Sequence, residues 1–275
     1  RWSWSRRVPS GALRRSRSVP EGDAVRRTAR RLDGALSGEV LQHTEFRVPR
    51  AATVDLTGAT VLATAVVGKH LLTRTRGPLG EQTIHSHLRM EGRWRTGRAA
   101  PTPCSGPAHA IRVWLVGERS QAVGTHLAEV AVLPTAQETT WVGHLGPDIL
   151  ADDFEAEILA DRVAAQGARG VVESLLDQTV LSGLGTMWAA ELAHTARVSP
   201  THAAGDVPDL VPALNRTRHR MRRAILDDPR ASRARLSVFE RTGRSCPRCN
   251  GIIVSGRVGT PPRDRVTYWC PQCQD

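Results

Sequence analysis

Two cysteine pairs carry the most specific chemistry in this chain. Cys246-Pro-Arg-Cys249 and Cys270-Pro-Gln-Cys273 stand twenty residues apart, a spacing in which two tight turns on a hairpin present four thiolates to one zinc ion. Four protein ligands close the tetrahedron, so a zinc held this way is structural and has no position left for a substrate. Between the pairs lie Arg257, Arg263 and Arg265, offset only by Asp264. That edge suits phosphate, although a solvated basic loop has the same composition. The fifth cysteine, Cys104, reads as an ordinary free thiol.

The second chemical signal is a lone lysine. The chain has 38 basic side chains against 27 acidic ones, a formal charge of +11, and Lys69 is the one lysine among the 38. Arginine has replaced lysine nearly everywhere, and alanine and glycine are abundant, as in a GC-rich genome. Single arginines therefore say little, whereas the surviving compact amine can do chemistry that a permanently charged guanidinium cannot. A third candidate is Leu181-Ser182-Gly183-Leu184-Gly185-Thr186. A glycine-rich turn ahead of a helix can aim several N–H groups at a phosphate, or it can simply connect two helices.

These groups need a scaffold, and 275 residues exceed what one average core holds. The 40% apolar share supports real cores, and no stretch approaches the roughly 18 apolar residues of a membrane span. The excess of positive charge points to a polyanionic partner. From Glu21 to Gly38, Val25, Ala29, Leu32 and Leu36 recur at helical spacing and predict an amphipathic helix opening from Pro20. Short β-type runs follow at Glu45–Val48, Thr60–Val67, Thr83–Leu88, Ile111–Val116 and His126–Leu133, with a loop at Arg98–Gly106. They predict an antiparallel sandwich or barrel. After Gly146-Pro147-Asp148 the pattern turns helical, at Phe154–Ala165, Val171–Leu176, Met187–Ala193 and Leu210–Leu226. The fold class expected is α+β, in four parts: residues 1–19 as a leader, 20–135 as a sandwich with its helix, 136–236 as a helical domain, and 237–275 as a zinc-ribbon hairpin.

The leader has six arginines, five serines and no acid. It suits a transit peptide in composition, or a non-native or disordered stretch created by a start assigned too far upstream, with the true start at Val19.

Several motifs fall in an order that resembles the formamidopyrimidine-DNA glycosylase and endonuclease VIII family of base-excision repair enzymes. They are Pro20-Glu21-Gly22, Gly68-Lys69-His70-Leu71-Leu72, Ser86-His87-Leu88-Arg89-Met90-Glu91-Gly92, Gly146-Pro147-Asp148, Leu176-Asp177-Gln178 running to Gly185, Val238-Phe239, and the ending Tyr268-Trp269-Cys270-Pro271-Gln272-Cys273-Gln274. The resemblance covers residues 20 to 274. It implies an N-terminal helix on a β-sandwich, a helix–two-turns–helix domain and an antiparallel zinc finger. The opening Pro-Glu-Gly-Asp and the finger ending resemble the endonuclease VIII branch.

The resemblance also implies roles. The amine of an N-terminal Pro20 attacks C1′ of the damaged nucleotide, releasing the base and leaving an iminium bond. An internal proline nitrogen is an amide without a nucleophilic lone pair, whereas a terminal amine titrates near 8. That chemistry favours a start at Val19, with removal of the initiator exposing Pro20. Glu21 protonates the sugar ring oxygen and moves protons during elimination. Lys69 contacts the phosphate beside the lesion and assists proton transfer, from a strand beginning Gly-Lys. Arg265 binds lesion phosphates. Met90 fills the space left by the everted nucleotide, and Arg89 contacts the orphaned base; a core methionine and a solvent-facing arginine are the plain alternative.

Thr186 stands where relatives carry asparagine in the turn that grips the backbone. His144 stands at an arginine position of endonuclease VIII. Ala24 replaces a second glutamate of many relatives, and Val266 a serine or threonine. The cofactor implied is one structural Zn2+ on Cys246, Cys249, Cys270 and Cys273. The expected activity is that of a bifunctional glycosylase and abasic-site lyase on oxidised pyrimidines in DNA, acting as a bacterial cytoplasmic monomer without a membrane partner. Oxidised purines are the alternative substrate, and a non-catalytic DNA-binding zinc protein the alternative class.

Overall fold

The computed structural model describes residues 20–227 and 236–274. The expectation for residues 1–19 lies outside the described residues.

Helix α1 runs Gly22–Leu36. Val25, Ala29, Leu32 and Leu36 form its buried stripe, as their spacing predicts. Eight strands follow: β1 His43–Phe46, β2 Thr60–Val67, β3 His70–Gly77, β4 Gly80–His87, β5 Arg93–Arg98, β6 Ile111–Val116, β7 Ser120–Thr125 and β8 Glu129–Pro134. They make two antiparallel four-stranded sheets, ordered β1-β6-β7-β5 and β2-β3-β4-β8. One apolar cluster joins the α1 stripe to Val61, Leu71 and Ile84 of one sheet and to Phe46, Val113 and Leu115 of the other. The helix thereby becomes part of the sandwich core.

Strands β3, β5 and β7 are not foreseen by the apolar pattern, for a physical reason. In β7 the central Gln121 is 1% exposed. Its amide is paid in full: the carbonyl accepts from Trp114 Nε1 and the Cys104 amide, and the amino group donates to the carbonyls of Arg98 and Thr102. A satisfied polar side chain can occupy a core position without an apolar signature. Lys69 corrects another expectation. It sits in the turn between β2 and β3, where Val67 pairs with His70, and not in a strand.

The second half is helical, with α2 Thr139–Val142, α3 Ala156–Ala164, α4 Val171–Leu176, α5 Thr186–Ala196 and α6 Val211–Leu226. A second core gathers Leu159, Val171, Leu175, Leu184, Trp188, Leu192, Leu214 and Met221 from these elements and their links. The last unit is the hairpin of β9 Val254–Val258 and β10 Arg265–Trp269, paired from Arg265–Val258 to Trp269–Val254. Its small core, Val238, Ile253, Cys246 and Cys270, closes on Ala190 of α5. The architecture is the α+β arrangement expected. Among the described residues no helix is long and apolar enough to cross a membrane.

Leu32 is 1% exposed at the centre of the sandwich cluster. Leu32→Ala should lower the unfolding free energy by about 2–5 kcal/mol, read from chemical denaturation; a loss below about 1 kcal/mol would contradict the packing described.

Candidate functional site

The first turn of α1 enters the helical half of the molecule and docks on the glycine-rich turn before α5. The Gly22 amide donates to the Gly183 carbonyl at 2.9 Å. A side chain at Gly22 would meet that same oxygen at 2.9 Å, and Gly183 itself has φ +95, a conformation natural to glycine. This contact delivers Glu21 to the N-terminus of α5. Its Oε2 accepts from the amides of Gly185 at 2.9 Å and Trp188 at 3.1 Å, and its Oε1 from Met187 at 2.7 Å. A Cβ on Gly185 would fall 2.6 Å from Glu21 Cδ, so only glycine leaves room for the carboxylate. Helix N-termini favour anions because their first amides lack intrahelical partners.

Glu21 is 3% exposed. Burial, above all, pushes its pKa up to about 7; the charge of Lys69 opposes this, Asp23 adds to it, and the amides of Met187 and Trp188 oppose it. Such a group gives and takes a proton readily near neutral pH. Lys69 is half-buried in its turn. Withdrawal from water holds its ammonium below the usual lysine range, Glu21 counteracts this, and Arg265 reinforces it. Lys69 thus lies in the field of both Glu21 and Arg265, which come from two other elements. Arg265 opens β10, exposed, its guanidinium donating to the carbonyls of Arg263 and Asp264.

The turn carrying Lys69 is fixed by Asp148. Its Oδ2 accepts from the Gly68 amide at 3.0 Å and from Arg26 of α1 at 2.7 Å, while Oδ1 accepts from the Leu150 amide at 2.8 Å. The motif Gly-Pro-Asp pointed to this segment without revealing that role. Pro20 lines a cavity of about 300 Å³ with Ala24, Arg27, Arg31, Leu88 and Trp94 among its walls. The described residues lining it include no carboxylate.

Arg89 and Met90 occupy the loop between β4 and β5. Met90 is 63% exposed, which removes the core alternative. Arg89 holds φ +45 and pairs with Glu129. His144 does not reach the Glu21 group; it lines a second cavity of about 420 Å³ with His70, His87, Arg89, Glu129 and Trp141. His70 Nδ1 lies 2.8 Å from His85 Nε2. Burial first, and the neighbouring His70 second, push His85 and His87 down to about 4, so both are neutral at physiological pH. Thr186 is the first residue of α5, beside the Glu21 seat.

The four cysteine sulfurs lie within 4.8 Å of one another. Cys249 and Cys270 are 3.4 Å apart, and Cys246 and Cys273 3.8 Å. Thiolates at about 2.3 Å from a tetrahedral zinc stand about 3.8 Å apart, so the donor set fits that ion. His194 Nε2 sits 3.4 Å from Cys246 Sγ, in the manner of a group that orients a ligand. The hairpin is tied to α5 by Glu191, whose carboxylate accepts from the amides of Ser237, Val238 and Phe239 and from Arg220. Sequence patterns give no hint of Glu191 or Trp188, and the opening Pro-Glu-Gly-Asp includes Asp23 without revealing its partner, since each acts through a residue remote in the chain.

Residues 19–126 match the formamidopyrimidine-DNA glycosylase N-terminal domain, and residues 145–232 match the formamidopyrimidine-DNA glycosylase H2TH domain. The chain is 44% identical to the "Probable endonuclease 8 2" of Streptomyces coelicolor over 93% of this chain and 94% of that one. It is 39% identical to the "DNA-(apurinic or apyrimidinic site) lyase Nei2" of Mycolicibacterium smegmatis over 93% and 99%. In fold it is similar to Lactococcus lactis formamidopyrimidine-DNA glycosylase bound to DNA containing an abasic site, with a TM-score of 0.78, 22% identity, and coverage of 93% of this chain and 100% of that one.

The raised pKa of Glu21 has a sign that can be checked. An unfolded glutamate titrates at 4.5 and the folded one at about 7, so the carboxyl contributes fully to stability below pH 4.5 and that contribution is lost as the pH rises through 7. Carbon-13 NMR of the Glu21 carboxyl should give a midpoint of about 7, and Lys69→Ala should move it higher by removing the cation. A midpoint in the ordinary carboxylate range would refute this environment.

Proposed function

The chain belongs to the formamidopyrimidine-DNA glycosylase and endonuclease 8 family, and from that premise we propose that it is a bifunctional DNA glycosylase and abasic-site lyase acting on oxidised pyrimidines. The observation that carries this reading is the carboxyl of Glu21, buried on the amides of α5 with a pKa of about 7, one residue from Pro20. An acid tuned to neutrality beside an amine that can be neutral is the pair an imine-forming excision requires.

In this mechanism the lone pair of a terminal Pro20 nitrogen forms a bond to C1′ of the everted nucleotide. Glu21 gives its proton to the ring oxygen as the sugar opens, the base departs, and the nitrogen–carbon bond becomes an iminium. Glu21 then relays protons through β- and δ-elimination. Lys69 and Arg265 hold the flanking phosphates and stabilise the departing phosphate charge. The histidine-lined wall that includes His144 and the turn at Thr186 grip the backbone beside them. Met90, projecting from its loop, fills the vacated stack, and Arg89 turns from Glu129 to the orphaned base. We assign the chemistry to residues 20–135, the backbone grip to 136–236 and the phosphate clamp to 237–275. Cys246, Cys249, Cys270 and Cys273 would hold a structural Zn2+ that keeps the hairpin, and Arg265 with it, in shape. The protein is expected in the cytoplasm, as a monomer on damaged duplex DNA.

The mechanism requires a chain whose first residue is Pro20, and the match to the N-terminal domain beginning at residue 19 supports this. Protein beginning at Pro20 should be cross-linked to abasic DNA by borohydride, while intact protein beginning at Arg1 should not. Equal trapping by both forms would remove Pro20 as nucleophile, and binding without trapping would make the chain a non-catalytic DNA binder. The same preparation should incise thymine glycol before 8-oxoguanine, the reverse order marking a purine enzyme. Stripping the thiolate site with a chelator should abolish DNA binding, measured by fluorescence anisotropy, and zinc should restore it.

A further inference from the structure

Asp23 lies in the first turn of α1 and is 5% exposed. A buried carboxylate needs partners to offset its lost hydration, and those of Asp23 are informative. Its Oδ1 accepts from the indole Nε1 of Trp188 at 3.0 Å, and its Oδ2 lies 3.4 Å from Arg27 on the same helix. Trp188 is also the residue whose backbone amide holds Glu21. One residue of α5 therefore grips both carboxylates of the α1 first turn, Glu21 by its main chain and Asp23 by its side chain. Arg27 in turn donates to the Ala224 carbonyl of α6 at 2.7 Å, and Arg220 of α6 stands 5.4 Å above the Trp188 ring. The indole thus meets Asp23 at its N–H and Arg220 over its ring.

We propose that Asp23 is a positioning residue for Glu21: clamped by the Trp188 indole, it fixes the first turn of α1 against α5 and places its carboxylate beside the proton-transferring carboxyl. This inference rests on the glycosylase reading above, in which Glu21 must deliver a proton. The seat of Glu21 taken alone would defeat that task. Three amides at a helix N-terminus and the Lys69 ammonium all favour the carboxylate over the acid. Burial is the larger opposing influence and Asp23 is the neighbouring charge that joins it. The groups facing the pair are few: Lys69 from the β2–β3 turn, the amides of Gly185, Met187 and Trp188 from α5, and Arg27 on α1. Burial pushes the Asp23 carboxyl above its ordinary range, and the Trp188 indole first and Arg27 second oppose that shift in favour of the anion.

Asp23→Asn retains an oxygen for the indole and removes only the charge. In single-turnover base excision by protein beginning at Pro20, the alkaline limb of the pH–rate profile should move to lower pH by about half a unit or more, because Glu21 then surrenders its proton sooner. Trp188→Phe keeps the ring and removes the donor, so Asp23 becomes easier to neutralise and the limb should move the same way. A purely structural role would lower the melting temperature and leave the limb in place; an unmoved limb in either folded variant overturns the proposal. Borohydride trapping of the unmodified protein separates the two claims. If it traps abasic DNA and the limbs stay fixed, the glycosylase reading stands and Asp23 has no such part. If it does not trap, both fall together.

Discussion

A single carboxylate crossing from one half of the molecule to the other organises everything near it. Glu21 leaves the sandwich side of the chain and ends on the free amides of α5, 164 positions away from Gly185. Satisfying those amides costs the protein a buried acid, and the burial in turn makes the acid useful near neutral pH. A side chain at Gly22 would strike the Gly183 backbone, one at Gly185 the Glu21 carboxylate, and one at Gly183, already at φ +95, the carboxylate of Asp148. The chemical group and the interdomain joint are the same contact, so neither can be altered alone.

Two further buried carboxylates repeat the device. Asp148 ties the linker between the halves to α1 through Arg26 and to the Lys69 turn through the Gly68 amide. Glu191 ties α5 to the amides that open the cysteine hairpin, and Arg220 holds it below the usual carboxylate range together with those amides, despite its burial. Each acid accepts from main-chain N–H groups that would otherwise be buried without partners. The result is that hydrogen bonds to buried charge, beside apolar contacts such as Ala190 with the hairpin core, join the three segments that carry Lys69, Glu21 and Arg265.

Much of this was legible in the order of residues. The cysteine pairs give the thiolate cluster outright, because ligand spacing is a local property. The α1 stripe and the longer β runs follow from periodicity, and the motifs around Pro20, Lys69, Met90 and Asp148 locate the parts of the site. What periodicity misses is polar satisfaction at a distance. Gln121 fills a central strand by making four hydrogen bonds, and β7 is invisible to a search for apolar alternation. Asp23 and Glu191 read as ordinary helix acids until Trp188 and the amides of residues 237–239 are brought beside them. Lys69 was placed in the right motif and the wrong local structure, since a Gly-Lys pair continues a strand pattern as readily as it turns one.

Helix α5 has a consequence of its own. Its first amides seat Glu21, its middle carries Glu191, and its last turn presents His194 to Cys246. Eleven residues make a rod about 16 Å long, and that rod is the gauge between the Glu21 seat and the cysteine cluster. Lengthening α5 by one turn would add about 5 Å between the Glu21 seat and the cysteine cluster and leave the local contacts at each end intact.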